Sequence, residues 1–306
     1  MKRIRFFMLF VIGMITLDMP LRAHSMTFQF DRTKSGVAEL VESYVKFSVH
    51  GKQLAPMLPP LFYLVTESSE KETVVVAKIG KISQHKELAA ILPDMLGQTP
   101  KQVKGPHGKI IFYNPVPENT KLGAYTEWKE WIFLAGTPDV LAQFLKGVAS
   151  PEAVVTPDPV FLSDGLPKSA AVRYWANNAN GKFTTLIREN QQRSLVPLPK
   201  DPASLKRFSG VFYIGPGRKI VTNATAVPVK LNQRAALKKD LELTLDSSRR
   251  LLTIFKVPAS GSVVEKGKIL DLKLSIDDYL FGQPELFKGA PAPSGITGLV
   301  GPVEKE

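Results

Sequence analysis

Ala124-Tyr-Thr-Glu-Trp-Lys-Glu-Trp-Ile-Phe-Leu-Ala-Gly-Thr-Pro-Asp-Val-Leu-Ala-Gln-Phe-Leu-Lys-Gly147 decides the fold class, because two kinds of periodicity meet in it. Ala124–Trp128 and Trp131–Ala135 flank Lys129-Glu130, and apolar runs separated by so short a link predict a tight antiparallel hairpin, even without the glycine or asparagine of the favoured turns. The pattern then switches. Thr137-Pro138-Asp139 supplies an N-cap, a proline at the first helical position and a first-turn acid; Val140, Leu141, Phe144 and Leu145 follow at helical spacing, and Gly147 stands just past the end. A hairpin running into an amphipathic helix belongs to α+β architecture rather than to the regular βα winding of a parallel sheet.

Working outward, Ser35 caps an expected first helix with Val37, Leu40, Val41 and Tyr44 on one face and Gly51 as its stop. Leu61–Thr66 and Thr73–Ile79 read as a strand pair about the polar turn Glu67–Glu72. A short helix over His85–Leu96 ends or bends at Pro93, and the extended segments Lys101–Lys104 and Lys109–Tyr113 flank Gly105-Pro106-His107-Gly108. Downstream, Ala170–Trp175 reads as a strand, and Asn178, Asn180 and Gly181 introduce a helix from Lys182 to about Arg193. Arg207–Ile214 and Arg218–Thr225 read as strands around Gly215-Pro216-Gly217. Leu241, Leu243 and Leu245 alternate with Glu242, Thr244 and Asp246, which predicts a strand pairing with Leu251–Val257 across Ser247–Arg250. Val263–Ile276 alternates again. The succession helix, hairpin, helix, meander reads twice, so the expected fold is α+β, antiparallel sheets with a few packed helices, and open to being two similar subdomains. The boundaries are an N-terminal α+β subdomain at 26–150, a junction at 151–168, a basic, sheet-rich subdomain at 169–288 and a poorly ordered tail at 289–306.

Trp131-Ile-Phe-Leu-Ala-Gly-Thr-Pro-Asp-Val-Leu-Ala-Gln-Phe-Leu-Lys-Gly147, with Asp158-Pro-Val-Phe161 and Leu166-Pro-Lys-Ser-Ala-Ala-Val-Arg-Tyr-Trp-Ala176, resembles a pattern found in uncharacterised, signal-bearing bacterial proteins that contain a domain of unknown function. The resemblance covers 131–176 and concerns architecture: a strand, a capped helix, a loop and a further strand. It implies a secreted α+β domain and transfers no catalytic residue.

Residues 1–25 read as a secretory signal peptide, with Lys2, Arg3 and Arg5 as the basic region, Phe6–Leu17 free of charge, and Ala23-His24-Ser25 as a small-x-small cleavage site. Asp18 and Pro20 stop the apolar run short of the roughly 20 residues that a bilayer span needs. The expected location is therefore periplasmic or extracellular. The absence of cysteine removes disulfides, thiolate nucleophiles and Cys-based metal sites, which favours a bacterial envelope setting for an exported chain. Charge is uneven: residues 168–270 hold 19 of the 40 Lys and Arg but 6 of the 28 Asp and Glu. Such an excess attracts anionic envelope or extracellular polymers, and the candidate anion-binding residues are Arg173, Lys182, Arg188, Arg218, Lys219, Lys238, Lys239, Arg249 and Arg250. The competing reading is a solvated basic face balanced by counterions.

Catalytic motifs are missing: there is no phosphate loop, nucleophile elbow, dinucleotide fingerprint or His-Glu-x-x-His zinc helix. Pro216 removes a donor from the Gly215–Arg218 loop, which reads as a hairpin turn. His50, His85 and His107 have no second histidine at helical spacing, and Asp277-Asp278 reads as a turn or helix start. Glu127 and Glu130 beside Trp128 and Trp131 read first as a hairpin with one apolar and one wet face, and secondly as a sugar platform. Arg173-Tyr174-Trp175 permits base stacking, yet export argues against a nucleic-acid partner. Asn223-Ala-Thr225 fits a glycosylation sequon. The expectation is an exported, non-enzymatic binding or envelope-accessory protein without cofactor, the alternative being an exported hydrolase with a site assembled from separated residues.

Overall fold

The computed structural model describes residues 26–31, 33–34, 59–66, 73–84, 86, 89–90, 92, 96, 100–115, 123–155, 170–178, 181–191, 197–214, 219–254 and 257–277. The described strands are β1 (Met26–Asp31), β2 (Leu61–Thr66), β3 (Thr73–Lys78), β4 (Lys101–Lys104), β5 (Ile110–Tyr113), β6 (Ala124–Trp128), β7 (Trp131–Ala135), β8 (Val172–Asn177), β9 (Leu205–Ile214), β10 (Ile220–Pro228), β11 (Ala259–Lys266) and β12 (Ile269–Ile276). They form one sheet in the order β11-β12-β10-β9-β8-β1-β2-β3-β7-β6-β5-β4, with every neighbouring pair antiparallel. Helices α1 (Pro138–Lys146), α2 (Pro151–Val155), α3 (Lys182–Gln191) and α4 (Arg234–Ile254) pack on it, and the described positions from 86 to 96 are helical. This is an α+β architecture of the expected kind. The expected helix over 35–51 and the tail at 289–306 lie outside the described residues.

The hairpin and helix of the opening segment form as their residues dictate. Trp128 faces Trp131 across the link, and Lys129 takes the left-handed conformation (φ 58°) that a glycine or asparagine would ordinarily supply. Thr137 caps α1, its hydroxyl accepting the Val140 N–H at 3.2 Å, and Pro138 follows at the position where a missing N–H costs nothing.

One expectation fails. Leu241–Asp246 and Leu251–Val257 are not a strand pair across Ser247–Arg250; most of that stretch is the 21-residue α4, which ends at Ile254. Leu237, Leu241, Leu245, Ser248 and Leu252 are buried, whereas Leu243 is 45% exposed. Spacings of four and seven are helical, and over a longer window they outweigh the short alternation of 241, 243 and 245.

Core packing divides by sheet face. On one face, Phe62, Leu64, Val75 and Ala77 meet the helical Leu92 and Leu96, while Phe212, Ala224, Leu270 and Leu274 meet Phe183 and Ile187 of α3 and the buried leucines of α4. On the other face, Val65, Val74, Val76 and Phe133 pack under Leu141, Phe144 and Leu145 of α1 and Val154 and Val155 of α2. Strands β2 and β3 are thus covered on both sides, which is why Leu-Phe-Tyr-Leu-Val and Val-Val-Val-Ala read as continuous apolar runs. Part of the expected junction, 151–155, is helix α2, which buries Pro151, Val154 and Val155, and 156–169 lies outside the described residues.

At the centre, β1 joins the earlier strands to the later ones by pairing with β8, Met26 opposite Ala176 and Phe30 opposite Val172. Aromatic rings cross this seam in sequence: Phe62 on Phe30 (4.9 Å between centroids), Phe30 beside Phe28 (6.4 Å), Phe28 on Tyr174 (5.9 Å), Tyr174 by Phe208 (5.8 Å) and Phe208 by Phe183 (6.5 Å). Tyr174 lies over Gly210 on β9, where an added Cβ would stand 2.2 Å from the phenol oxygen, so only glycine fits opposite the ring.

The helical reading of α4 separates three leucines that a strand would treat alike. Leu241→Ala and Leu245→Ala should each cost about 2–5 kcal/mol in urea unfolding, and Leu243→Ala should stay within about 0.5 kcal/mol. Equal losses at all three would restore the strand.

Candidate anion-binding surface

Helix α4 turns its leucines to the sheet, which forces Lys239, Leu243 and Arg250 onto the outer surface. Lys239 and Arg250 are about three turns apart at 3.6 residues per turn, and so share a face. Ion pairs hold the flanks of the helix. Arg234 Nη2 lies 2.8 Å from Glu265 Oε2 on β11, while Lys238 Nζ lies 3.8 Å from Glu265 Oε1 and 3.7 Å from Glu242 Oε1. Arg234 also donates to the Gly267 carbonyl. Toward the other end, Arg249 pairs with Asp246 at 3.2 Å.

The connection 197–200 ties α4 to α3. Gln191 Nε2 donates to the Pro199 carbonyl at 3.1 Å, the Thr244 hydroxyl donates to that of Pro197 at 2.7 Å, and the Lys200 N–H donates to Asp240 Oδ2 at 3.0 Å. At its start, α3 is seated by the buried Asn178, whose Oδ1 accepts the Thr184 N–H at 3.0 Å and whose Nδ2 donates to the Leu205 carbonyl at 2.7 Å. Both helices belong to the same core cluster, so Arg188 of α3 and Lys239 and Arg250 of α4 lie in one helical layer. These three side chains are exposed and form no ion pair with a described residue.

The structure therefore places five of the expected cations on helices of one sheet face, Arg188 on α3 and Lys238, Lys239, Arg249 and Arg250 on α4, and puts others elsewhere. Lys219 precedes β10 and pairs with Asp277 at 2.9 Å. Arg173 alternates with Tyr174 along β8 and so points to the opposite face of the sheet. There it adjoins Tyr63 and Asp31: burial pushes the Tyr63 phenol above its ordinary pKa, Arg173 offsets part of that rise and Asp31 adds to it. Arg218 and the Lys182 side chain lie outside the described residues. The sequence places Arg249 and Arg250 in a turn between strands and leaves Lys238 and Lys239 outside any element; the helical spacing of Leu237, Leu241 and Leu245 is the signal for their common helix.

The other chemical candidates are structural in their surroundings. His107, at φ 55° in the β4–β5 turn, brings Nε2 to 2.9 Å from the Leu145 carbonyl and stacks on Trp128 at 4.7 Å, with Lys109 Nζ 5.7 Å from the same ring. Trp128 and Trp131 are 8% and 7% exposed, too enclosed to offer a sugar platform. Glu127 Oε2 accepts the Ile82 N–H at 3.3 Å, and Glu130 pairs with Lys78 at 3.0 Å. Thr225 of the sequon is buried in the sheet. His50, His85, Asp278 and the loop 215–218 lie outside the described residues. Among the described residues no group of three or more His, Asp or Glu side chains converges to hold a metal, and no helix is long and apolar enough to cross a membrane.

No family model matches the chain, and no curated protein matches it. Three solved structures, crystal forms III, IV and I of TP0453, align with TM-scores of 0.49, 0.45 and 0.45 at 10%, 10% and 9% identity. They cover 87%, 86% and 92% of this chain and in each case 95% of the other.

The paired and unpaired cations should respond differently to substitution. Lys239→Gln and Arg250→Gln should each change thermal stability by less than about 0.5 kcal/mol, the usual range for surface sites without partners. Glu265→Ala, which leaves Arg234 and Lys238 without their shared carboxylate, should lower the melting temperature more than either. A larger loss from Lys239→Gln than from Glu265→Ala would contradict this division.

Proposed function

We propose that this chain is an exported, non-enzymatic envelope accessory protein whose basic C-terminal half contacts an anionic polymer in the periplasm or outside the cell. The observation that carries the reading is the outer surface of α4 and α3, where Lys239, Arg250 and Arg188 stand exposed without a described acidic partner. A fixed helix presents these charges at a set spacing, and the neighbouring Lys238 and Arg249 add to the local positive potential even though each is paired. The signal-like residues 1–25 and the lack of cysteine support this choice of compartment. A repeating acidic polymer suits a surface of separated cations better than a small anion, which requires convergent donors.

The reading extends to the two halves as copies of one unit. In each, a meander of three spatially adjacent strands, β1-β2-β3 or β8-β9-β10, is followed by helical residues, and the last strand of the half returns to pair with the third: β7 with β3, β12 with β10. The first copy carries α1 and α2, and the second carries the positive charge.

Retention on a heparin resin tests the binding. The wild-type chain should elute only as salt screens the contact, with a Debye length of about 10 Å at 0.1 M salt. Lys239→Gln combined with Arg250→Gln should elute at clearly lower salt, and Lys78→Gln, which alters a pair in the first half, should elute with the wild type. Passage of the wild type without retention, or equal elution of all three, would remove the reading.

A further inference from the structure

The two ends of the sheet differ in a way that identifies one of them as an association edge. At one end β4 is four residues long, exposed throughout, and carries Lys101 and Lys104 at its ends, a combination that discourages pairing. At the other end β11 runs for eight residues, Ala-Ser-Gly-Ser-Val-Val-Glu-Lys, without proline or register shift and with its lysine only at the last position. Ser260, Ser262 and Val264 are exposed on it, Val264 by 55%. Among the described residues nothing pairs with its outer side.

The direction of its backbone groups follows from the register. The Asp277 N–H donates to the Pro258 carbonyl at 2.9 Å, and this pair continues the β11–β12 register in which Ala259 faces Ile276. Hydrogen-bonded pairs alternate along an antiparallel ladder. Ser260, Ser262, Val264 and Lys266 therefore spend their backbone groups on β12, and Ala259, Gly261, Val263 and Glu265 present theirs to the outside.

We propose that β11 pairs antiparallel with β11 of a second copy of this chain about a two-fold axis at Ser262, giving a dimer with one continuous sheet. This register sets Ala259 against Glu265 of the partner subunit and Gly261 against Val263 of the partner subunit, so each outward N–H and C=O of the strand acquires a partner. Ser262 meets its own counterpart, and Val264 meets Ser260 of the partner subunit. No like charges stand opposite, and the Glu265 carboxylate stays engaged with Arg234 and Lys238 of its own copy. The axis is perpendicular to the sheet, so both α4 helices fall on the same side, and the dimer doubles the cationic surface presented to a polymer. The dimer itself does not depend on the polymer-binding reading.

Because the chain has no cysteine, Ser262→Cys creates a single thiol in each copy, directly facing the other in a non-hydrogen-bonded pair whose Cα separation of about 4.5 Å lies within disulfide range. Mild copper-phenanthroline oxidation of the full chain should convert Ser262→Cys largely to a cross-linked dimer and leave Ser260→Cys mostly monomeric. In sedimentation velocity the wild type should shift from monomer to dimer as concentration rises, while Ser262→Lys, which sets two ammonium groups face to face on an exposed position, should remain monomeric with an unchanged circular dichroism spectrum. A wild type that stays monomeric throughout, a Ser262→Lys variant that dimerises equally, or preferential cross-linking of Ser260→Cys would each overturn the proposal.

Discussion

Pairing of β1 with β8 is the constraint on which the remaining architecture rests. Among the described strands, β2 to β7 are hydrogen-bonded into one sheet with β9 to β12 through it, since the order passes from β2 to β1 to β8 to β9. Its strength lies in ring packing as much as in ladder hydrogen bonds. Phe28 and Tyr174 are almost fully enclosed, and the rings from Phe62 to Phe183 make a continuous aromatic band over the seam. Closing a loop as long as the one between β1 and β8 carries an entropic cost that grows slowly with length, and burial of this band is what offsets it. Gly210 takes part by having no side chain: it yields the space that Tyr174 fills.

Local elements were legible because their causes lie within about ten residues. Thr137-Pro138-Asp139 carries its own cap, the hairpin Ala124–Ala135 closes over Lys129 and Glu130, and β2 and β3 are separated in sequence by a polar stretch. The seam was not legible, because nothing in Met-Thr-Phe-Gln-Phe-Asp names Val-Arg-Tyr-Trp-Ala-Asn as its neighbour. Helix α4 escapes a local reading for a different reason. Leucines at 241, 243 and 245 satisfy a period of two over a short stretch, and only the inclusion of Leu237 and Leu252 shows the longer period that burial then follows.

The same helix orders the candidate surface. As a strand and turn, the segment would have scattered Lys238, Lys239, Arg249 and Arg250; as a helix it sorts them by partner. Lys238 and Arg249 hold acidic neighbours, and Lys239 and Arg250 face outward. One amphipathic period thus closes the core over β11 and displays the cations. Net charge alone names no surface, and Arg173, equally prominent in the sequence, turns away to the opposite face beside Asp31 and Tyr63.

Hydrogen exchange across the seam tests this account most directly. Phe28→Ala removes the ring that links Phe30 to Tyr174 and should reduce amide protection in β2 and β3 together with β9 and β10, because both sides rest on the same pairing. Loss of protection confined to the strands on one side, with the other side unchanged, would contradict it.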